Sequence, residues 1–307
     1  MLGPSLQSKL SGAAGTASVG TVIVTFNTTS GLNPSHLAAL QSAGITSGFT
    51  LQRLGMVGAV ATAGQVRALA NNSAVRSIWL NDRLHYLNNQ TRVLTGVDKM
   101  RTDPNFIRAN AGLPISGKGN FALVIIDSGI DGTHPDTHFP EHVIQNVQTV
   151  TDSGTLSGFT SLTFVENVPD TDTNVGHGSH CAGIAGGTCA ASGGLYAGVA
   201  PGVSLLGAGS GAGLFILNSL GGFEYSLANQ ARYGIRIISN SWGGQGPFAP
   251  NDPISIASKL AHDLNIIVVF AAGISGPGKD TMNPYAKAPW VIGVAAGTKE
   301  GALASFS

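Results

Sequence analysis

Two stretches of the chain carry side chains able to exchange a proton. In Asn174-Val-Gly-His-Gly-Ser-His-Cys-Ala-Gly183 a Gly-His-Gly run opens the apolar segment Cys181-Ala-Gly-Ile-Ala185. This pattern sets the His177 imidazole on the first turn of a buried helix, with small neighbours that leave it accessible. The flanking glycines allow a tight bend and a close approach by another backbone. Upstream, Phe121-Ala-Leu-Val-Ile-Ile-Asp127 is a wholly apolar run that ends in an aspartate. A carboxylate at a buried strand end is costly unless it is paired. The chemistry on offer is a general base, His177, with Asp127 as the acceptor that fixes its tautomer and stabilises its protonated form. The plainer reading of Asp127 is a turn former, since Asp-Ser-Gly is turn-like; His177 in its glycine frame weighs against it.

The other reactive side chains read more quietly. His180 follows His177 by three residues on the same helical face. An H-x-x-H pair near acidic residues is a metal-site pattern, but no third or fourth ligand has a matching position. A hydrogen-bonded core histidine is the commoner case, and no metal site is expected. His134, in Thr-His-Pro-Asp, reads as a turn residue. Cys181 and Cys189 are the two cysteines. They can close one short loop, but small thiols in apolar segments are more often simply packed.

Five apolar runs must position the His–Asp pair: residues 121–126, 203–206, 235–238, 266–270 and 291–295. Continuous rather than alternating apolarity suits parallel strands buried on both faces. Helical patterns lie between them at 177–186, 214–233 and 253–263. The expected fold class is α/β, a parallel sheet flanked by helices. Ligands in such sheets gather at the carboxyl ends of strands, where Asp127 stands.

The first 90 residues read as a small α+β domain of their own. Residues 21–26 alternate as a strand. Asn33-Pro34 is a helix start, followed by Leu37, Leu40 and Ala43 at helical spacing. Residues 49–54 and 56–61 read as two strands with a turn near Gly55. Thr62 and Gln65 have capping-box spacing and open a helix through Val66 and Leu69. Residues 75–80 give a last strand. The order β-α-β-β-α-β is the ferredoxin-like arrangement. Residues 82–118 are more polar and read as a linker and the entry to a second domain, residues 91–307.

Composition excludes several classes. Hydrophobic residues make up 43% of 307, ample for a core, while charged residues are only 10%, against about 25% in ordinary domains. The formal net charge is zero and there is no basic stripe, so a nucleic-acid partner is not expected. The 43 glycines are spread through apolar runs, unlike a linker or a collagen. No run reaches the ~18–20 apolar residues of a membrane span. Met1-Leu-Gly-Pro-Ser lacks the basic start and apolar centre of a signal peptide.

These motifs carry a family resemblance. Ile126-Asp-Ser-Gly-Ile-Asp-Gly-Thr-His-Pro-Asp136 resembles the aspartate motif of the subtilisin-like serine proteases (peptidase family S8), and Gly176-His-Gly-Ser-His-Cys-Ala-Gly183 resembles their histidine motif. The resemblance gives Asp127 and His177 the catalytic roles. Val199-Ala-Pro-Gly-Val-Ser204 is similar to the segment leading into a substrate-binding strand. Ile238-Ser-Asn-Ser-Trp-Gly-Gly244 is similar to the wall of the primary specificity pocket. Val268-Val-Phe-Ala-Ala-Gly-Ile-Ser-Gly-Pro277 is similar to the oxyanion segment. By this likeness Gly207, Ala208, Gly209, Ser241, Trp242 and Gly243 would bind an extended polypeptide substrate, with Trp242 bearing on side-chain preference. The match runs over residues 119–307. Residues 1–90 resemble the family's propeptide, which chaperones folding and inhibits until cleaved. Its tail would lie in the substrate groove, with the cut between Leu87 and Thr91. Secretion to an extracellular location is implied by the family.

The sequence departs from the family at two places. The nucleophile motif Gly-Thr-Ser-Met-Ala does not occur in these residues, and the expectation is a truncation before it; Ser241 and Ser179 are no substitutes. The oxyanion asparagine falls at Ile274, which has no side-chain donor. Calcium is weakly implied by Asp136, which matches a calcium-binding position in some relatives. Ca²⁺ wants 6–8 oxygens, and the matching loop, Ala191-Ser-Gly-Gly-Leu195, offers no carboxylate. Cys181 also matches a position near the active site in some relatives, which implies sensitivity of an active form to mercurials. Two functions are therefore expected as alternatives: a serine endopeptidase whose serine lies downstream, or a dead pseudoprotease that binds peptides or inhibits a relative.

Overall fold

The computed structural model describes residues 1–82, 85–86, 96–111, 121–151, 156–211, 213–298 and 302–307. The expected cut between Leu87 and Thr91 lies outside them. The chain opens with a helix that the sequence reading missed, α1 (Pro4–Leu10), which starts on a proline and buries Leu6 and Leu10. Then follow β1 (Ser18–Phe26), α2 (Pro34–Ser42), β2 (Gly48–Leu51), β3 (Met56–Thr62), α3 (Ala63–Ala70) and β4 (Val75–Leu80). Local signals set these bounds. Asn33 accepts the amides of Ser35 and His36 at the start of α2, and Thr62 and Gln65 form a capping box on α3. Gly55 makes the β2–β3 turn with a φ of 66°, a conformation that suits glycine. The strands lie in the order β4-β1-β3-β2 and pair antiparallel.

The polar stretch contributes three short elements, β5 (His85–Tyr86), α4 (Val97–Thr102) and α5 (Pro104–Ala109). Beyond it come β6 (Ala122–Asp127), β7 (Val143–Val150), β8 (Phe159–Ser161), β9 (Thr163–Val165) and α6 (His177–Gly186). Next are β10 (Ser204–Gly209), α7 (Ile216–Ala228), α8 (Gln230–Tyr233), β11 (Ile235–Asn240) and β12 (Trp242–Gly243). The last are α9 (Pro253–Asp263), β13 (Ile267–Ala271) and β14 (Ile292–Val294). One sheet runs β14-β13-β11-β6-β10-β7-β9. Its pairs are parallel except β7 with β9. This is the expected α/β class, with every apolar run in a strand.

Three features differ from the sequence reading. β7 was not foreseen because its apolar residues are interrupted by Gln145, Asn146 and Gln148. These amides bond inside the fold: Gln145 Nε2 donates to Tyr233 Oη at 3.0 Å and Asn146 Nδ2 to Ile130 O at 2.8 Å. The single helix expected over 214–233 breaks at Asn229, whose side-chain amide bonds back to Tyr225 O at 3.0 Å, competing with the helix ladder. And β8 leaves the second part of the chain to pair parallel with β2. The first sheet therefore has five strands, one of them from outside residues 1–90.

Helix α7 lies between the two sheets. Residues 216–227 are buried all round, as a core helix requires. A Cβ at Gly222 would come within 2.8 Å of Ile126 on β6, and one at Gly58 on β3 within 2.7 Å of Leu217. Ile23, Phe49, Leu51 and Met56 share one continuous core with Leu217, Leu220, Phe223 and Ile238. Helix α6 covers the opposite face of the second sheet, where Cys181 and Ala182 pack on Ile125, Ile130 and Leu205.

Candidate active site

The carboxyl end of β6 delivers Asp127 to the rim of the sheet, fully buried. The N-terminus of α6 delivers His177. Gly176, at a φ of 76°, turns the chain into the helix without a side-chain cap of its own. The cap comes from Asp172. Its Oδ1 accepts the Gly176 amide at 3.0 Å, and its Oδ2 accepts the Ser179 amide at 2.9 Å and the Ser179 hydroxyl at 2.7 Å. A carboxylate there also complements the helix dipole. Ser179 Oγ in turn accepts the Asp131 amide at 2.8 Å, and Ser128 Oγ accepts the Gly178 amide at 2.8 Å. Gly178 must be glycine, because a Cβ would lie 2.1 Å from Gly129 O and 3.0 Å from the Asp127 Cβ. That contact lets α6 settle onto the end of β6.

The two side chains meet. His177 Nδ1 donates to Asp127 Oδ1 at 2.7 Å, with the imidazole 17% and the carboxylate 1% exposed. The Ser128 amide donates to the same oxygen at 2.8 Å. Asp127 Oδ2 is buried without a hydrogen-bond partner among the described residues. Burial pushes the Asp127 carboxyl up, against the opposing pull of its bond to His177. Burial alone would lower the imidazole, but the bonds to Asp127 and Cys181 outweigh it and raise His177 to about 10. The rise on the ring and the downward pull on the carboxyl are the two sides of the same His177–Asp127 bond. With Nδ1 engaged, Nε2 is the nitrogen for proton exchange.

Cys181 Sγ lies 3.7 Å from His177 Nδ1. Neither cysteine is in a disulfide, Cys181 being buried and Cys189 half-buried, so the short bridge is not formed. Asp127, His177 and Cys181 bring potential ligand atoms within 4.8 Å of one another, but Nδ1 carries its proton toward Asp127 Oδ1 and so offers no lone pair to an ion. His180 is not in the core; it is on the exposed side of α6. His134 is a turn residue that accepts the Asp136 amide. Asp136 Oδ1 accepts the Ala191 amide at 2.8 Å.

The expected substrate residues divide. Gly207, Ala208 and Gly209 pair on both sides, with β6 and with β7. Their backbone groups are spent within the sheet, so they cannot take a peptide. The Trp242 side chain is also not at a pocket wall. It is fully buried, donates from Nε1 to Ile126 O at 2.6 Å, and packs edge-on against Phe270 and Tyr285. A buried indole needs a partner for its N–H, and the strand end supplies one. What Trp242 and Gly243 do present is backbone, which pairs antiparallel with Tyr86 and His85. Ser241 precedes them, half-buried. Ile274 follows β13 and is 52% exposed.

Residues 118–307 match the signature described as the subtilase family. The chain belongs to that family. It is 28% identical over 246 residues to the serine protease AprX of Bacillus subtilis strain 168, covering 74% of this chain and 50% of that protein. It is 30% identical over 177 residues to thermitase of Thermoactinomyces vulgaris, covering 56% of this chain and 54% of thermitase. The subtilase chain described here thus spans about half the length of these curated relatives. Among solved structures, fervidolysin from Fervidobacterium pennivorans, a keratinolytic enzyme related to subtilisin, superposes with a TM-score of 0.64 at 19% identity. That match covers 94% of this chain and 45% of fervidolysin. EpiP of Staphylococcus aureus, an epidermin leader peptide processing serine protease, gives a TM-score of 0.64 at 17% identity over 95% and 72%. Both share the subtilase fold.

Sequence reasoning missed Asp172, which seats the first turn of α6. The Asp-x-x-x-Gly spacing to Gly176 was the available signal, a capping acid ahead of a helix start.

Proposed function

We propose that this subtilase is the precursor form of a serine endopeptidase in which Asp127 orients His177 and His177 takes the proton of a serine outside residues 1–307. That serine attacks a peptide carbonyl, and the resulting acyl-enzyme is hydrolysed. The observation that carries the reading is the 2.7 Å bond between a fully buried carboxylate and the first-turn imidazole. Ser128, Ser179 and Ser210 are engaged elsewhere, Ser210 Oγ donating to Asp127 O at 2.9 Å. Base catalysis requires the neutral imidazole, so a His177 pKa near 10 places the rising limb of activity on the alkaline side.

Residues 1–90 act as the prodomain in this reading. Their sheet lies on α7, and β5 adds to β12 as a peptide adds to a sheet edge. The substrate would be an extended polypeptide on the same edge, and the mature enzyme would be extracellular. The test is a full-length form carrying His177→Ala. Casein hydrolysis should fall by about 10⁶ in turnover, the loss known for this triad in a subtilisin; unchanged hydrolysis would reject the assignment.

One observation favours a second reading. By the family resemblance Ile274, exposed after β13, falls at the position of the oxyanion asparagine, which would suit a pseudoprotease that keeps the groove and binds peptides. The coding sequence beyond Ser307 separates the two: a Gly-Thr-Ser motif supports the enzyme, its absence the binder.

A further inference from the structure

Between the first layer and the peptidase layer lies a cavity of about 670 Å³, lined by Trp79 and Asp82 on one side and Gly244, Pro247, Asp252 and Tyr285 on the other. The contacts around it hold the layers together. Ser77 Oγ donates to Asn251 O at 2.8 Å, and Arg76 Nε to Asn251 Oδ1 at 2.9 Å. The Leu217 amide donates to Asn81 Oδ1 at 2.6 Å, and the Ile216 amide to Asp82 O at 3.2 Å. The first layer thereby caps α7, whose own N-cap residue has no side-chain bond. Asp252 caps α9 from the other layer, its Oδ1 accepting the Ile254 amide at 2.8 Å and the Ser255 amide at 3.3 Å. Two polar atoms of cavity residues, Trp79 Nε1 and Ser255 Oγ, have no hydrogen-bond partner among the described residues.

We propose that Asp252, which lines this cavity opposite Asp82 of the other layer, makes the docking of residues 1–82 proton-dependent, tight in acid and loosened at neutral pH and above. The inference rests on the prodomain reading and supplies its regulation. Asp252 is buried in the docked chain, next to Asn251, which Ser77 and Arg76 bond from the first layer, and Asp82 lines the same cavity. Burial raises Asp252 to about 7; the Ser255 and Ile254 amides pull it down, and the Asp82 charge adds to the rise. Tyr285, the other titratable group against Asp252, is held well above its usual value, first by burial and then by the two carboxylates, so it stays neutral throughout. The nearby cations are engaged, Arg76 on Asn251 and the Met1 ammonium on Arg76 O at 3.0 Å.

The sign follows from linkage. When the layers separate, water reaches Asp252 and Asp82 leaves, so its pKa falls toward the ordinary value of about 4. The docked state then binds the extra proton. Docking weakens as pH rises from about 4 through 7, by up to tenfold per unit, and levels off above 7.

The experiment is amide hydrogen exchange on the full chain from pH 5 to 8, corrected for intrinsic exchange and read at Ile216 and Leu217. Protection should fall by up to a hundredfold between pH 5 and 7 and then flatten. Asp252→Asn keeps the capping oxygen and should give a flat profile; Asp82→Asn, on the other layer, should move the fall to lower pH. A flat wild-type profile, or an unchanged slope in Asp252→Asn, overturns the proposal. Glu224→Gln tests the other buried interface carboxylate and should keep the slope; loss of the slope there would name Glu224 as the sensor and also overturn it. Mass spectrometry of the mature full-length protein separates the two readings. Retention of residues 1–82 would sink the prodomain reading and leave the exchange slope standing.

Discussion

Asp172 grips Ser179 twice, by amide and by hydroxyl, and the turn it closes in this way is the one that presents His177. The catalytic geometry proposed here thus depends on a carboxylate that does not touch the imidazole. Losing an N-terminal capping acid costs about 1–2 kcal/mol. Asp172→Ala should destabilise the chain by that amount in urea unfolding, and the Nδ1 proton resonance of His177 should broaden as the turn loosens. Asp172→Asn keeps one acceptor and should recover part of both. A sharp, unshifted His177 signal in the alanine variant would show that the turn stands without its cap.

The pair itself predicts a titration. The folded imidazole is raised to about 10 from an ordinary 6.5. A raised histidine contributes stability that is fully present below the unfolded pKa and is lost as pH rises through the folded one. The chain should therefore lose stability between about pH 6.5 and 10. Asp127→Asn removes the opposite charge and should lower the His177 midpoint by about 1–3 units, read by NMR of the ring protons. A midpoint that does not move would mean that Cys181 and the surrounding dipoles hold the proton.

What the sequence could reveal follows the range of the interaction. Asp127 and His177 were legible because each sits in a short local motif, an apolar run ending in an acid and a glycine-framed helix start. Asn33 and Thr62 were legible as caps for the same reason. Asp172 lay within reach of a capping search, but Asn81 and Glu224 did not. Asn81 caps a helix 136 residues away and Glu224 bonds a turn 171 residues away, and no periodicity encodes such partners. Trp242 misled in another way. Its motif placed it on a pocket wall, yet a strand has two faces, and the indole took the core face where Ile126 O accepts its N–H. Gly207, Ala208 and Gly209 misled because a strand's edge status depends on β7, whose buried amides hid it.

Glu224 gives the third prediction. From the middle of α7 its Oε1 accepts the Arg53 amide at 3.1 Å and its Oε2 the Leu54 amide at 3.4 Å. It thereby holds the β2–β3 turn against the peptidase layer. Burial raises its pKa, and the amide bonds oppose the rise. Glu224→Ala leaves two amides without acceptors at a buried interface, at a cost of about 1–3 kcal/mol. Faster exchange at Arg53 and Leu54 and a lower unfolding midpoint are the expected readouts. Unaltered exchange at both amides would show that the turn is held by its own strands.

Ile274 allows a test by gain of function. Its side chain is 52% exposed, so a polar replacement of similar size meets no packing cost. The nearby Asn283 cannot serve as the missing donor, because its Nδ2 is committed to Trp242 O at 3.0 Å and Ala271 O at 2.7 Å. If position 274 faces the developing oxyanion in an active full-length form, Ile274→Asn should raise kcat by about 10²–10³, the worth of one such donor. KM should change little, since the bond forms in the transition state rather than in the ground state. An unchanged kcat would place the oxyanion elsewhere and remove the main argument for a decayed site.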